Sequence, residues 1–204
     1  MRSITENQYT LEELRDSYPE GYARALRDYQ DRLDQDYYVP WQEETLDSLL
    51  ACLEACGLRR SQYTYELGAY FPSFIRVRHD ADWLDLRGPR ALAWFENHVL
   101  GPLRVPFTPM AEGGKRRQHA KYGTRAGSVP PCPFTGFCTD DDYLDAIRES
   151  LKGGESVREA IMGLAFTYQR FVEAEWEYHR SPEGFADWAD GHGPYFTESG
   201  ELRD

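Results

Sequence analysis

Ser61-Gln-Tyr-Thr-Tyr-Glu-Leu-Gly68, a short break containing Pro72, and Ser73-Phe-Ile-Arg-Val-Arg78 decide the fold class of this 204-residue chain. Both runs place β-branched and aromatic residues in near alternation with polar ones, and the break supplies a turn, so they are expected to pair as a β-hairpin. In the second run Ile75 and Val77 fall on one side and Arg76 and Arg78 on the other, which predicts one face on the core and one in water.

Outward from the hairpin the spacing becomes helical. Thr10 before Leu11-Glu12-Glu13 has the form of a capped helix start, with acids at the positive helix end. Pro19 limits that segment, and Tyr22, Ala25, Leu26, Tyr29 and Leu33 then recur at helical intervals over about residues 20–35. Pro40 suits the first turn of a further helix, marked by Leu46, Leu49, Leu50 and Leu53 and closed by Gly57. Residues 1–57 therefore read as an acidic helical hairpin.

Beyond the strands, Leu92, Phe95, Val99 and Leu100 predict a helix ending near residue 100, followed by a long loop, rich in proline and glycine, to residue 138. Thr139 is expected to cap the next helix, with Asp140, Asp141 and Asp142 in its first turn and Leu144, Ile147 and Leu151 as its apolar stripe. Ser156 caps a longer helix whose core face runs through Ile161, Leu164, Ala165, Tyr168, Phe171, Val172 and Trp176. Pro182 and Gly184 interrupt it before Phe185, Trp188 and Ala189 resume. Residues 195–202 predict a strand and turn able to extend the central sheet. The expected class is α+β, predominantly helical, with a small antiparallel sheet formed by the central hairpin and a C-terminal strand. The chain is expected to be one domain, 1–204, in three regions: 1–57, a middle 58–138 of hairpin, helix and basic loop, and a helical 139–204.

Composition sets the broad class. With 41% hydrophobic and 14% aromatic residues the chain is too apolar for disorder. No apolar run long enough for a membrane span and no signal-peptide pattern at the start are found, which predicts a soluble, intracellular protein without a membrane partner. The net charge of −12 is unevenly placed: residues 1–57 carry −8, residues 58–138 carry +6 and residues 139–204 carry −10. Such segregation bears on partners more than on fold.

Few residues have the spacing of a reactive centre. Cys52 and Cys56 lie one helical turn apart and are expected to be buried as small apolar groups, while Cys132 and Cys138, with five residues between them, are weak zinc candidates with His119 as a third ligand. Asp140, Asp141 and Asp142 are better explained by the helix start than by a cation. His79 with Asp80 and Asp82 lacks a framed nucleophile, the other histidines lack metal spacing, and phosphate-binding glycine motifs are absent, so no catalytic residue, metal or cofactor is assigned.

Two sets of residues have the chemistry of binding surfaces. Asp28, Asp31, Asp34 and Asp36, on one predicted helix, present negative charge suited to a partner built to hold phosphates. Tyr63 and Tyr65 with Arg76 and Arg78 on the paired strand offer rings to stack on bases and guanidinium groups to meet phosphates. Lys115, Arg116, Arg117, Lys121 and Arg125 add a basic run in a stretch without acids.

The run Gly127-Ser-Val-Pro-Pro-Cys-Pro-Phe-Thr-Gly-Phe-Cys-Thr-Asp-Asp-Asp-Tyr-Leu-Asp-Ala-Ile-Arg148, with Glu173-Ala-Glu-Trp-Glu-Tyr-His-Arg-Ser-Pro-Glu183 and Tyr195-Phe-Thr-Glu-Ser-Gly-Glu-Leu202, resembles a group of uncharacterised bacteriophage and prophage proteins. Related sequences are sometimes labelled antitoxin of a toxin–antitoxin system. Where those relatives often show a glycine- and serine-rich strand motif, this chain has Tyr65-Glu-Leu-Gly-Ala-Tyr-Phe-Pro-Ser-Phe74. The resemblance implies phage origin and carries no catalytic residues. The expected function is a non-enzymatic accessory protein that binds a host defence enzyme, such as a nuclease or CRISPR effector, or a toxin, through its acidic face. The alternative is a nucleic-acid or nucleotide-ligand binder using the Tyr/Arg face and the basic run.

Overall fold

Thr10 closes a capping box on the first helix: its hydroxyl accepts the Glu13 amide at 3.3 Å, and the Glu13 carboxylate accepts the Thr10 amide at 2.9 Å. That helix, α1 (Leu11–Ser17), stops short of Pro19, which opens α2 (Pro19–Asp36) where a missing N–H leaves nothing unpaired. In the computed structural model, which describes residues 7–36, 42–68, 71–104 and 129–203, there follow α3 (Gln42–Ala55), β1 (Tyr63–Glu66), β2 (Phe74–Val77), α4 (Gly88–Trp94) and α5 (Gly101–Leu103). The chain ends with α6 (Thr139–Lys152), α7 (Val157–Arg180), α8 (Pro182–His192), β3 (Tyr195–Phe196) and β4 (Leu202–Arg203). The protein is thus α+β and mostly helical, with two small antiparallel sheets.

Two compact units make up the chain, Met1–Pro40 with Glu173–Asp204, and Trp41–Val172. The division falls inside α7, whose apolar stripe runs through it. Of the two helices expected to form a hairpin in 1–57, α2 belongs to the first unit and α3 to the second.

In the first unit α1 and α2 pack around Leu14, Ala25, Tyr29, Phe185 and Phe196. Tyr29 stacks on Phe185 with ring centres 4.8 Å apart. Ser181 caps α8, its hydroxyl accepting the Gly184 amide at 3.1 Å. β3 pairs antiparallel with β4, Phe196 opposite Leu202, and Phe196 also bridges to Tyr9. The C-terminal strand therefore forms its own sheet and does not extend the central one. The turn between β3 and β4 lies against α2 so closely that a Cβ on Gly21 would stand 2.2 Å from the Glu198 carbonyl oxygen, and Gly200, at φ +85°, has no room for one either.

In the second unit α3 packs on α6, and α6 on α4, over buried Leu49, Leu53, Phe95, Tyr143, Ile147 and Leu164. Cys52 and Cys56 are buried with them, as their spacing predicts. β1 and β2 pair in the register Tyr63 opposite Val77 and Tyr65 opposite Ile75, with Ile75 and Val77 buried and Arg76 and Arg78 exposed. The helix expected to run to residue 100 changes pitch: after α4, residues Phe95–Leu100 form a wider π-helical turn. Asn97 Nδ2 donates to the Ala93 carbonyl at 2.6 Å, and the His98 ring meets the Trp94 carbonyl at 3.1 Å, both one turn back. These side chains compete with backbone amides for the helix's own acceptors.

Thr139 is not the cap of α6. It is the first residue of the helix, and its buried hydroxyl has no hydrogen-bond partner among the described residues. Asp140 organises this end instead. Its carboxylate is fully buried and accepts the backbone amides of Phe134 at 2.8 Å, Thr135 at 2.8 Å and Gly136 at 3.2 Å, plus the Thr135 hydroxyl at 3.0 Å. Asp141 accepts the Cys132 amide at 3.3 Å. The acids at this helix start hold the preceding loop, whose Gly136 sits at φ +84°.

Candidate functional site

Charge and the two units coincide. The first unit contains 18 acids against 7 bases, net −11, and the second 17 against 16, net −1. Almost all of the protein's net negative charge therefore belongs to the first unit.

Within that unit α2 is less acidic than expected. Asp31 is exposed, but Asp28 lies 3.9 Å from Arg24, and Asp34 is paired with Arg180. Arg24 and Arg32 stand one turn either side of Asp28, and Arg27 one turn before Asp31, so acids and bases share the same faces. Asp36 is the last residue of the helix. The acidic face expected of Asp28, Asp31, Asp34 and Asp36 is corrected to one on which acids and bases are mixed.

Sequence reasoning missed the acidic stripe of α8. Glu183, Asp187 and Asp190 occupy i, i+4 and i+7 along it and all three are exposed, with no lysine or arginine from Pro182 to His192. The same i, i+4, i+7 rule that found the apolar stripes, applied to carboxylates, would have found this one. The Tyr178 hydroxyl donates to Asp187. A groove of about 420 Å³ is lined by α8 and by α1, which contributes Leu11, Glu12 and Arg15, with Tyr22 of α2 also lining it. Nearby, the Tyr9 and Tyr18 hydroxyls both donate to Glu198 Oε1, at 3.0 and 3.2 Å. The two hydroxyls also lie 3.0 Å apart, within hydrogen-bond reach, so their protons are shared among three oxygens, and the contact with Tyr9, aided by burial and the Glu198 charge, pushes the Tyr18 phenol up to about 12.

The aromatic and basic sheet face does not exist as one surface. Residues directly opposite in an antiparallel pair share a face. Tyr63 and Tyr65 therefore lie on the side of buried Val77 and Ile75, whereas Arg76, opposite Thr64, and Arg78 lie on the other. Tyr63 is buried, and the guanidinium of Arg60, from the turn before β1, covers both rings at 5.2 and 4.7 Å. Lys115, Arg116, Arg117, Lys121, Arg125 and His119 lie outside the described residues.

Cys132 is half-buried and Cys138 exposed, both as free thiols. Burial and the neighbouring Asp141 and Asp140 carboxylates push the Cys132 thiol up, which keeps it protonated and a poor nucleophile. Among the described residues no three His, Cys, Asp or Glu side chains are grouped to hold a metal ion. His98 and His192 bond to carbonyls, and His179 to Glu175, one turn back on their own helices. Asp80 is exposed and 3.8 Å from Arg158, whose guanidinium also donates to the His79 carbonyl at 3.1 Å. No helix among the described residues is long and apolar enough to cross a membrane. No family model, curated protein or solved structure matches the chain.

Proposed function

We propose that this chain is a non-enzymatic, phage-encoded accessory protein that acts in the host cytoplasm by binding a basic surface of a host defence enzyme or a toxin. The observation that carries this is the concentration of −11 of the −12 net charge in one unit. A unit of that charge attracts surfaces rich in lysine and arginine, above all those that hold phosphates, and occupying such a surface blocks nucleic acid from it. The acidic stripe of α8 replaces α2 as the contact element. Binding of nucleic acid by this protein itself loses its main support, because the tyrosines and arginines of the hairpin face opposite ways.

Affinity capture from a bacterial host lysate, followed by identification of the bound protein by mass spectrometry, tests the proposal. The captured protein is expected to be basic at its contact, to be released by salt, and to lose its nucleic-acid-dependent activity when this chain is added. A partner whose binding and activity are indifferent to salt and to this chain would refute it.

A further inference from the structure

The groove between α1 and α8 combines two features that separately would carry little. Its lining includes the apolar side chains of Leu11, Tyr22, Pro182 and Ala186, together with Glu12 of α1 and Glu183 and Asp190 of α8. The only base lining it among the described residues, Arg15, lies 3.9 Å from Glu12 and 3.3 Å from Asp16. The carboxylates are distributed along the groove: Glu183 and Asp190 are seven residues apart on one helix, about 10 Å at 1.5 Å per residue. Two turns of a docked helix span the same distance. Ala186, between them in sequence, is small and half-buried and also lines the groove.

From this geometry we infer that the groove holds a short helical segment of the partner with lysine or arginine at i and i+7 and an apolar side chain between them. The cations face Glu183 and Asp190, and the apolar side chain rests over Ala186 against Leu11 and Tyr22. Complementary charge selects the segment, and the apolar lining residues supply desolvated contact. This rests on the reading that the acidic unit binds a basic partner, and it adds where and in what form.

The test measures fluorescence anisotropy of a fluorescein-labelled helical peptide with Lys at i and i+7 and Leu between, added to the full chain. A peptide with Leu replaced by Ser keeps the charge and removes the anchor. The wild-type chain should bind the Lys/Leu peptide at least tenfold more tightly than the Lys/Ser peptide. Ala186→Leu, which fills the groove, and Glu183→Gln with Asp190→Asn, which changes only exposed side chains, should each weaken the Lys/Leu peptide about tenfold with an unchanged circular dichroism spectrum. Asp31→Lys, on α2 and outside the groove, should weaken it less than threefold. Equal binding of both peptides, or an Asp31→Lys effect as large as that of the double variant, overturns the groove while leaving the acidic unit as the binding element. Absence of binding by either peptide at low salt overturns both. Should Ala186→Leu fail to fold, the double variant decides.

Discussion

The Asp140 carboxylate accepts both the backbone amide of Thr135, at 2.8 Å, and the Thr135 hydroxyl, at 3.0 Å, and so ties the loop before α6 to the first turn of that helix. With the Phe134 and Gly136 amides on the same group, a buried charge is fully solvated by protein. Burial raises the pKa of this carboxyl, and the hydrogen bonds from Thr135, Ser48 and Phe134 outweigh it, holding it below the ordinary carboxylate range.

Asp140→Asn keeps the shape but loses the charge and turns one acceptor into a donor aimed at amides. It should lower stability by about 2–4 kcal/mol in chemical denaturation. Because the folded-state pKa is depressed, the stabilisation is complete above the unfolded value near pH 4 and is lost as pH falls through the folded value. The wild type should therefore lose stability below about pH 4 more steeply than Asp140→Asn. Parallel pH profiles for the two would show that the carboxylate is not held as described.

Gly21→Ala should destabilise the first unit, although alanine is the better helix former, because the added methyl meets the Glu198 carbonyl. The expected loss is about 1–3 kcal/mol, read as a lower midpoint in urea. A midpoint at or above that of wild type would mean that the β3–β4 turn does not lie against α2.

Glu159 caps α7 together with Ser156, accepting the Ser156 amide at 2.7 Å and an Arg87 N–H at 2.9 Å. Arg87 first, then Ser156, bring its carboxyl down to about 2. Carboxyl-carbon NMR should show Glu159 titrating near that value, and Arg87→Ala should move the midpoint upward. An ordinary glutamate midpoint in the wild type would refute the pairing.

Trp176 is buried, and Arg180 stacks on its ring at 5.5 Å. Trp176→Ala should cost about 3–5 kcal/mol, a large share of ordinary domain stability. A mutant melting within a degree of wild type would contradict the burial.

Local chemistry explains what could be read from sequence. Thr10 with Glu13, Ser156, Pro19 and Gly57 mark helix ends because caps and breakers act within a few residues, and Ile75 and Val77 mark a strand face by period alone. The face of Tyr63 and Tyr65 depends on which residue lies opposite, a non-local property that alternation within one strand does not carry. Asp140 stands in the first turn of α6 as its sequence predicts, but only the loop before that helix decides that the aspartate, and not Thr139, is the organising group. The unit boundary within α7 leaves no local mark because the apolar stripe from Ile161 to Trp176 continues through it. The acidic face was sought on α2, where Arg24, Arg27 and Arg32 share the helix, while the unbroken acids of α8 were hidden among apolar positions.

The most direct test of the central claim is the affinity of the captured host protein for this chain, measured by titration calorimetry at 50 and 500 mM salt. Screening shortens from roughly 14 to 4 Å over that range. A contact made by the acidic unit should weaken at least tenfold, and an equal affinity at both salt concentrations would contradict the account.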